Sequence, residues 1–375
     1  MSLFKAKGIP VLIASTLKPL RDSRAYEKLA LSLGETNKYS LNIIGFSSKK
    51  PKSTPQSRFF LAMSDYQSKW DRVAAQWRFL RCLFQVRPKI IICCTYEYLL
   101  ISSWCKRIFN YRLVYDVQEN YIANLDLNPN LSPNQKNKRK SLIQKAESIP
   151  GIDLFLLAEK CYVQEMPEKS PFLILENKYQ GEIVPTPPIS FQGKSKFKFV
   201  LAGTLTTTYG IMEAIQWFLK IRETYSESEL VIIGHVPLVD FQNQLEDIQN
   251  RSSGIRLNTS AEPISHSEIL TAYQDSDFAL APYQLHPAIR DKYPTKLFEC
   301  AALGIPLLHT PNLIWEEFLN PFKGGHPVDF TKLDQAIPTF QQAICQTYFS
   351  TPVPEEVLWK SEKLHFQKAI QNLLS

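Results

Sequence analysis

The residues best suited to chemistry lie in one segment, residues 294–306, which reads PTKLFECAALGIP. The pattern predicts a helix that opens at Pro294 and stops at a Gly-Ile-Pro sequence before another strand. The helix carries a cation, Lys296, and a carboxylate, Glu299, and a second acid, Asp291, precedes Glu299 by eight positions. We expect the two acids to lie near one helix N-terminus, where backbone amides and the helix dipole favour a bound anion.

A parallel sheet would bring this segment to the ends of neighbouring strands. Short apolar runs alternate with amphipathic segments in both halves of the 375 residues, which predicts two doubly wound α/β domains, each with its own core. We predict strands at residues 9–15, 39–46, 89–94, 111–116, 197–202, 230–234, 255–257, 278–281 and 305–308. We predict helices at residues 22–33, 66–86, 96–109 and 357–374, and exposed loops at residues 47–58 and 125–140.

A proline-rich segment marks the boundary between the two domains. Residues 183–190 read IVPTPPIS, lack helical periodicity and lead into the lysine-flanked start of a new strand. We therefore predict an N-terminal domain at residues 1–186 and a C-terminal domain at residues 187–352. The remaining residues, 353–375, should form an amphipathic closing helix.

Several of these segments resemble one known family. The spacing Asp291-x7-Glu299, with its helix and Gly-x-Pro exit, is similar to the E-x7-E signature of retaining glycosyltransferases with the two-domain GT-B fold, most closely the family 4-like group. Residues 199–204, FVLAGT, followed by Tyr209-Gly210-Ile211, resemble that family's first C-domain strand, glycine turn and helix. The N-terminal half matches more loosely, through residues 11–15, 21–24 and 114–119.

The resemblance implies two Rossmann-like domains facing across a cleft, with a nucleotide-sugar donor in the C-terminal domain and a hydroxyl acceptor in the N-terminal one. The closing helix would cross back to the N-terminal domain. Glu299 would accept hydrogen bonds from the ribose hydroxyls, and Lys296 would balance the charge of the diphosphate. The implied donor site consists of Gly203, Thr204, Gly210, Lys296, Leu297 and Glu299. The catalytic candidates are Asp291, Glu119 and Asp116, and the candidate acceptor-phosphate ligands are Arg21 and Arg24.

The chain departs from the family pattern at three places. The first acid is Asp291 rather than Glu, and Gln118 stands where related proteins often carry His. The loop after the Gly203 strand reads Thr204 and Thr208-Tyr209 where many members carry an Arg and a Lys. The missing charge could come from Arg290, Lys292 and Lys296. The missing Arg/Lys pair and Asp291 keep one alternative open, a non-catalytic relative that binds nucleotide sugar or a partner enzyme. The resemblance keeps a second one open, because the same fold also includes nucleotide-sugar 2-epimerases.

Charge is divided unevenly along the chain. Residues 1–190 contain 28 Lys+Arg against 16 Asp+Glu, a net charge of +12, whereas the remainder has 15 against 20, a net charge of −5. The basic half predicts an anionic partner, and the resemblance favours a lipid-linked or cell-surface glycan acceptor over nucleic acid. A predicted helix with Trp70, Arg72, Trp77 and Arg81 is typical of a membrane-surface helix or of a helix packed on a sheet. We expect peripheral membrane contact through the N-terminal domain.

The remaining sequence patterns limit the cellular location and the cofactors that we expect. No run reaches the roughly twenty apolar residues that span a bilayer, and the start of the chain leads into a strand, so we expect a cytoplasmic protein at the inner face of the membrane. Seven cysteines without a C-x-x-C pair are typical of reduced core residues. The six histidines lack metal-ligand spacing. The sequence has no G-x-G-x-x-G fingerprint, which argues against a nicotinamide dehydrogenase. The sequence therefore predicts a retaining, hexosyltransferase-like enzyme of polysaccharide biosynthesis that uses a nucleotide sugar and no metal or other cofactor.

Overall fold

The computed structural model describes residues 8–49, 51–54, 56–65, 68–127 and 131–375. Contacts between residues divide it into two compact units. Unit 1 comprises Met1–Gln180 and Trp359–Ser375, and unit 2 comprises Gly181–Leu358. In the structure the chain passes from unit 1 to unit 2 after residue 180 and returns to unit 1 after residue 358. The sequence predicts these boundaries after residues 186 and 352.

Unit 1 is built on a parallel sheet whose strand order, among the described residues, is β3-β2-β1-β4-β5-β6-β7. Its central strands are apolar runs without polar alternation, because helices bury both of their faces. The strands are β1 (Ile9–Pro19), β2 (Tyr39–Phe46), β3 (Ser57–Leu61), β4 (Ile90–Cys93), β5 (Arg112–Val117), β6 (Leu154–Leu157) and β7 (Phe172–Ile174).

Two sets of helices cover this sheet. They are a π-helix (Ser23–Ala30) continued by α1 (Leu31–Gly34), α2 (Lys69–Val86), a 3-10 turn (Tyr96–Tyr98) before α3 (Leu99–Phe109), α4 (Tyr121–Asp126), α5 (Pro133–Glu147), α6 (Tyr162–Glu165) and the closing helix (Lys360–Asn372). Leu12 packs with Phe79 of α2 and Leu99 of α3, whereas the next residue, Ile13, packs with Phe366 of the closing helix. Since successive side chains of a strand point to opposite faces, α2 and α3 cover one face and the closing helix covers the other.

Unit 2 contains a second parallel sheet, with the order β11-β10-β9-β12-β13-β14 among the described residues. Its strands, with the separate antiparallel pair β8 and β15, are β8 (Ile189–Ser190), β9 (Lys198–Thr204), β10 (Glu229–His235), β11 (Ile255–Ser260), β12 (Phe278–Ala281), β13 (Leu307–His309), β14 (Gly325–Pro327) and β15 (Thr347–Tyr348). Its α-helices are α7 (Ile211–Arg222), α8 (Val239–Arg251), α9 (His266–Gln274), α10 (Pro287–Arg290), α11 (Thr295–Leu303), α12 (Leu313–Leu319) and α13 (Ala336–Cys345). Short 3-10 turns occur at Thr207–Tyr209, Asn320–Phe322, Leu333–Gln335 and Glu355–Val357.

Each sheet has one place where the order of its strands reverses. In unit 1 this place lies between β1 and β4, and in unit 2 it lies between β9 and β12. Connections leave such a pair of strands towards opposite edges of the sheet, which opens a crevice at their carboxyl ends where α/β proteins bind ligands. A ligand of unit 2 is therefore expected beside the ends of β9 and β12.

The prediction of two parallel α/β sheets is confirmed, but one predicted loop is wrong. Residues 125–140 contain the end of α4 and the first half of α5, and residues 128–130 lie outside the described residues. The Ser132 hydroxyl accepts a hydrogen bond from the Gln135 N–H, and the Gln135 side chain accepts one from the Ser132 N–H. This capping box, with Pro133 in the first turn, starts a helix in spite of the polar composition.

Smaller differences concern ends of elements and missed strands. The loop predicted at residues 47–58 ends in β3, and the helix predicted at residues 66–86 is observed as α2, with Tyr66 and Gln67 outside the described residues. Six of the observed strands lie outside the predicted ones, namely β3, β6, β7, β8, β14 and β15. Throughout the described ranges, every helix is too short or too polar to cross a bilayer.

Candidate functional site

The α11 helix holds the carboxylate of Glu299 in a fixed place. The helix begins after Pro294 and ends at Gly304, whose φ is +68°. A Cβ atom at residue 304 would lie 2.0 Å from the Thr186 hydroxyl oxygen, so glycine is required there. Glu299 is only 5% exposed. A carboxylate at this depth needs a hydrogen-bonding partner.

The partner of Glu299 is His266, the first residue of α9. Its Nε2–H donates to the Glu299 carboxylate across 2.7 Å. The Ser265 side chain caps α9 by accepting from the Glu268 N–H, which fixes the start of the helix and the position of His266. His266 is not among the residues predicted for the site, since the histidines of the sequence show no metal-ligand spacing. The capping pattern from Ser265 to Glu268 marks the helix start, but nothing local shows that His266 meets a residue 33 positions away.

Lys296 lies at the carboxyl end of the sheet, three residues before Glu299 on the same helix. Its Nζ donates to the Ala202 carbonyl of β9 at 3.3 Å and lies 4.8 Å from the centre of the Tyr283 ring. Burial lowers the pKa of Lys296 from 10.5 to about 8, and the nearby Glu299 carboxylate opposes this shift only in part. We call the space beside Gly203, Lys296 and Glu299 the corner of unit 2. An anion bound there would supply the counter-charge that the Lys296 ammonium group lacks.

The two glycines predicted for this site differ in their surroundings. Gly203 has φ of +114°, and nothing lies within 4 Å of the place where its Cβ would be. Gly210 has φ of +72°, and its Cβ would lie 1.7 Å from the Pro282 carbonyl oxygen. Open space therefore adjoins Gly203, whereas Gly210 is needed for the close approach of the loop after β12. Thr204, the last residue of β9, is exposed beside Gly203.

Leu297 and Asp291, the other two residues predicted for the site of unit 2, differ in their exposure to solvent. The Leu297 side chain is fully buried, and its N–H donates to the Pro294 carbonyl at 2.9 Å. The contact of Leu297 with a ligand stays a prediction. Asp291 is half-exposed and pairs with Arg290 across 3.2 Å. Its loop is anchored by α12, because the Asn312 amide donates to the Arg290 carbonyl.

In unit 1, Arg24 and Asp116 neutralise each other. Both oxygens of Asp116 accept hydrogen bonds from the Arg24 guanidinium, at 2.7 to 3.0 Å, and the side chains are 3% and 0% exposed. Arg24 also donates to the Leu175 carbonyl, and Gln118 donates to Asp116. The two charges are therefore already paired with each other, and the roles of Asp116 in proton transfer and of Arg24 in phosphate binding stay predictions.

The other two candidates of unit 1 are more accessible. Glu119 is 43% exposed in its side chain, with the Lys18 ammonium 3.5 Å away and a hydrogen bond from the Asn124 amide at 3.0 Å. Arg21 is exposed, with its guanidinium 6.0 Å from the centre of the Phe59 ring. Glu119 could act as a base and Arg21 could bind an anion, whereas Asp116 and Arg24 support the fold.

The corner of unit 2 can therefore do two things chemically. The Glu299 carboxylate, oriented by His266, can accept hydrogen bonds from a pair of hydroxyl groups. Lys296, at the end of β9 beside the open side of Gly203, can stabilise negative charge that grows on a leaving group. The described residues contain no group of three or more metal-ligating side chains.

Comparison with solved structures places the whole chain in one fold. Sucrose-phosphate synthase from Thermosynechococcus elongatus matches with a TM-score of 0.68 and 11% identity, over 98% of this chain and 99% of that chain. Anabaena HepE in complex with UDP and glucose matches with a TM-score of 0.63 and 8% identity, over 98% and 99%. WaaG, a glycosyltransferase involved in lipopolysaccharide biosynthesis, matches with a TM-score of 0.59 and 14% identity, over 96% and 95%.

This chain has the GT-B fold of those proteins. No protein-family model matches the chain, and no curated protein sequence matches it.

Proposed function

We propose that the protein is a glycosyltransferase that moves a sugar from a nucleotide-sugar donor to a hydroxyl acceptor. The observation that carries the proposal is the corner of unit 2, in which Glu299, held by His266, lies on the same helix as Lys296 at the end of β9. The fold supports it, because HepE, which matches over nearly its whole length, is a complex with UDP and glucose. WaaG, which also matches, is itself a glycosyltransferase.

The donor site assigns one task to each of its residues. The Glu299 carboxylate accepts hydrogen bonds from the two ribose hydroxyls, and His266 positions it. The diphosphate occupies the space beside Gly203 and Thr204, with Lys296 as its counter-charge. Gly210 serves the site indirectly, because it lets the loop after β12 close on the start of α7. Asp291 contacts the sugar.

The proposed reaction retains the configuration at the anomeric carbon. The acceptor oxygen forms a bond to that carbon while the bond to the diphosphate oxygen breaks, and the acceptor proton passes to the departing phosphate. Lys296 stabilises the charge that develops on the diphosphate. Of the two carboxylates predicted as catalytic groups in unit 1, Glu119 is accessible, whereas Asp116 is buried in its ion pair.

The proposed acceptor is a lipid-linked or cell-surface glycan, met at the inner face of a membrane. The net charge of +12 in residues 1–190 supports an anionic partner for unit 1. Arg21 is the accessible cation that would contact an acceptor phosphate. The protein would then be a hexosyltransferase of polysaccharide biosynthesis.

Turnover with a panel of uridine, guanosine and adenosine diphosphate sugars tests the proposal. Mass spectrometry should show release of one nucleoside diphosphate only when a bacterial lipid extract is present, together with a lipid product heavier by one sugar. The NMR signal of the anomeric proton should show the same anomeric configuration in the product as in the donor. Glu299→Ala should lose the product, and Glu268→Ala, an exposed glutamate of α9, should keep it.

Two other outcomes would overturn the proposal. Conversion of the donor sugar without any acceptor would assign a 2-epimerase of the same fold. Tight donor binding without turnover for every sugar and extract would assign a non-catalytic relative, which the pairing of Asp291 with Arg290 and the absence of Arg or Lys at residues 204–209 would then explain.

A further inference from the structure

The six tryptophans of the chain divide into two groups of three. Trp217, Trp315 and Trp359 are at most 1% exposed. Trp70, Trp77 and Trp104 are 85%, 71% and 74% exposed, and all three lie on α2 or α3 of unit 1. Tryptophan is costly to leave in water, so three exposed rings on two neighbouring helices indicate a surface with a function.

The exposed apolar residues form one stripe along each helix. On α2 the stripe is opposite the residues that pack on the sheet, such as Phe79, and on α3 it is opposite Leu99 and Cys105. A helix on a sheet normally has a polar outer side, and these two have apolar inner and outer sides. We name this surface the α2–α3 face, and it consists of Trp70, Val73, Trp77, Phe84, Leu100, Trp104 and Ile108, each between 47% and 85% exposed.

The two stripes belong to one continuous surface. Phe84 of α2 and Phe109 of α3 are in contact, with ring centres 5.1 Å apart in an edge-to-face arrangement. Both helices pack on the same face of the sheet, as their shared core residues show. The apolar surface therefore extends across both helices.

Positive charge surrounds the α2–α3 face. Arg72 and Arg81 of α2 and Arg107 of α3 are exposed. The acid of α2, Asp71, is bound to Arg78 across 2.5 Å and also accepts from backbone N–H groups, so it offers little negative charge to a partner. The neighbouring α5 adds exposed cations at Lys138, Arg139, Lys140 and Lys145.

We propose that the α2–α3 face docks unit 1 on an anionic lipid bilayer, with the tryptophans in the interface and the arginines at the headgroups. Exposed tryptophans among cations match the composition of membrane-surface helices. A second copy of this chain is the poorer occupant, because a two-fold contact through this face would bring two surfaces of the same positive charge together. The inference deepens the proposed function by naming the surface that reaches a lipid-linked acceptor.

Sedimentation with vesicles tests the docking without nucleotide or turnover. The full chain is mixed with vesicles of phosphatidylcholine and phosphatidylglycerol in a three-to-one ratio, and with vesicles of phosphatidylcholine alone. We expect binding to the anionic vesicles that weakens with salt. Because the other three tryptophans are already buried, a blue shift of the emission on binding would come from the α2–α3 face.

Two sets of variants separate the apolar and charged contributions. The triple change Trp70→Ser, Trp77→Ser and Trp104→Ser should weaken vesicle binding by about tenfold or more. Arg72→Gln with Arg81→Gln and Arg107→Gln should weaken binding to anionic vesicles by about tenfold or more. Matched controls are Leu313→Ser and Leu364→Ser, which change leucines that are 79% and 68% exposed in unit 2 and on the closing helix.

The results distinguish the docking from the donor site. A nucleotide-induced rise in melting temperature that survives in the tryptophan variant would show that the variant is folded and that the donor site is intact. Wild-type protein that stays in the supernatant with anionic vesicles would overturn the docking, and so would a tryptophan variant that binds as tightly as wild type. A dimer in solution that dissociates in the tryptophan variant, without vesicle binding, would assign the face to a second copy.

Discussion

The two units use charged residues in opposite ways at the carboxyl ends of strands of their sheets. In unit 1, Asp116 of β5 lies in a buried bidentate pair with Arg24 of the helix after β1. In unit 2, the ammonium group of Lys296 is held by a carbonyl and an aromatic ring, close to the open side of Gly203. The charges of Arg24 and Asp116 neutralise each other within the fold. The charge of Lys296 remains to be neutralised by a ligand.

The contrast between the two units shows that a parallel sheet with reversed strand order does not by itself identify a ligand-binding site. Both sheets are parallel and both have a reversal of strand order that favours ligand binding. Among the described residues, the second sheet combines the Glu299–His266 pair, the incompletely neutralised Lys296 and the open space beside Gly203. The Arg24 pair instead joins the π-helix to β5 and to the Leu175 carbonyl beyond β7, so its expected role is to stabilise unit 1.

The largest effect should come from breaking the buried pair of unit 1. Arg24→Met leaves Asp116 charged and unpaired inside the protein, which should lower the free energy of unfolding by about 3–5 kcal/mol. Combining it with Asp116→Leu should recover most of the loss, because neither charge is then buried alone. Urea denaturation measures both. An Arg24→Met protein within 1 kcal/mol of wild type would show that the pair is not structural.

The glycines of unit 2 should differ in stability when replaced by alanine. Gly210→Ala places a methyl group on the Pro282 carbonyl and strains the backbone, which should cost about 3 kcal/mol. Gly203→Ala meets no atom, so only the strain at its φ of +114° remains, about 1–2 kcal/mol. The same urea titrations compare the two. Equal losses would contradict the assignment of Gly210 to packing and of Gly203 to open space.

The low pKa of Lys296 predicts a pH dependence of nucleotide affinity. The free protein loses the charge of Lys296 above pH of about 8, so the affinity for UDP should be constant below that pH and fall by up to about tenfold per pH unit above it. The unfolded chain keeps that proton up to pH of about 10.5. The free energy of unfolding of the ligand-free protein should therefore rise over the same interval.

Variants of Lys296 provide the controls for this dependence. Lys296→Arg keeps its charge throughout, so its affinity should change little with pH, and it also corrects for titration of the nucleotide. Lys296→Met should bind weakly and without the fall above pH 8. Isothermal titration calorimetry gives the dissociation constants. A fall of the same size in Lys296→Arg and in wild type would exclude Lys296 as its cause.

The smallest effect should come from His266, which acts through Glu299. His266→Ala removes one hydrogen bond to the carboxylate and should weaken UDP binding by about threefold to tenfold, or about 1 kcal/mol. His266→Gln can still donate to Glu299 and should restore most of the affinity. The control is His365→Ala, an exposed histidine of the closing helix. Equal affinity for the His266→Ala protein and wild type would leave Glu299 without a positioning partner.

The sequence predicts those parts of the molecule that depend on neighbouring residues. Apolar runs such as Phe278–Ala281 predict buried strands, and the helix from Thr295 to Leu303 follows from its Pro start and Gly stop. The polar composition of residues 125–140 predicts an exposed loop, whereas the capping box at Ser132 and Gln135 starts the helix α5. Glu299 and Lys296 are recognisable from local spacing.

The partners of the charged groups depend on the tertiary fold instead. Arg24 meets Asp116 across 92 positions, and Glu299 meets His266 across 33. No local pattern records either distance, so the sequence offered Asp116 and Arg24 as active groups. The folded structure shows that each has the other as its partner.

The most direct test of the difference between the units is the thermal stability of the protein with UDP, GDP, ADP and their sugars, for wild type, Glu299→Ala and Glu268→Ala. A ligand at a hundredfold excess over its dissociation constant should raise the melting temperature by about 3 °C or more. We predict such a rise for one nucleotide base, kept in Glu268→Ala and lost in Glu299→Ala. No rise with any nucleotide, or an undiminished rise in Glu299→Ala, would contradict a donor site in unit 2.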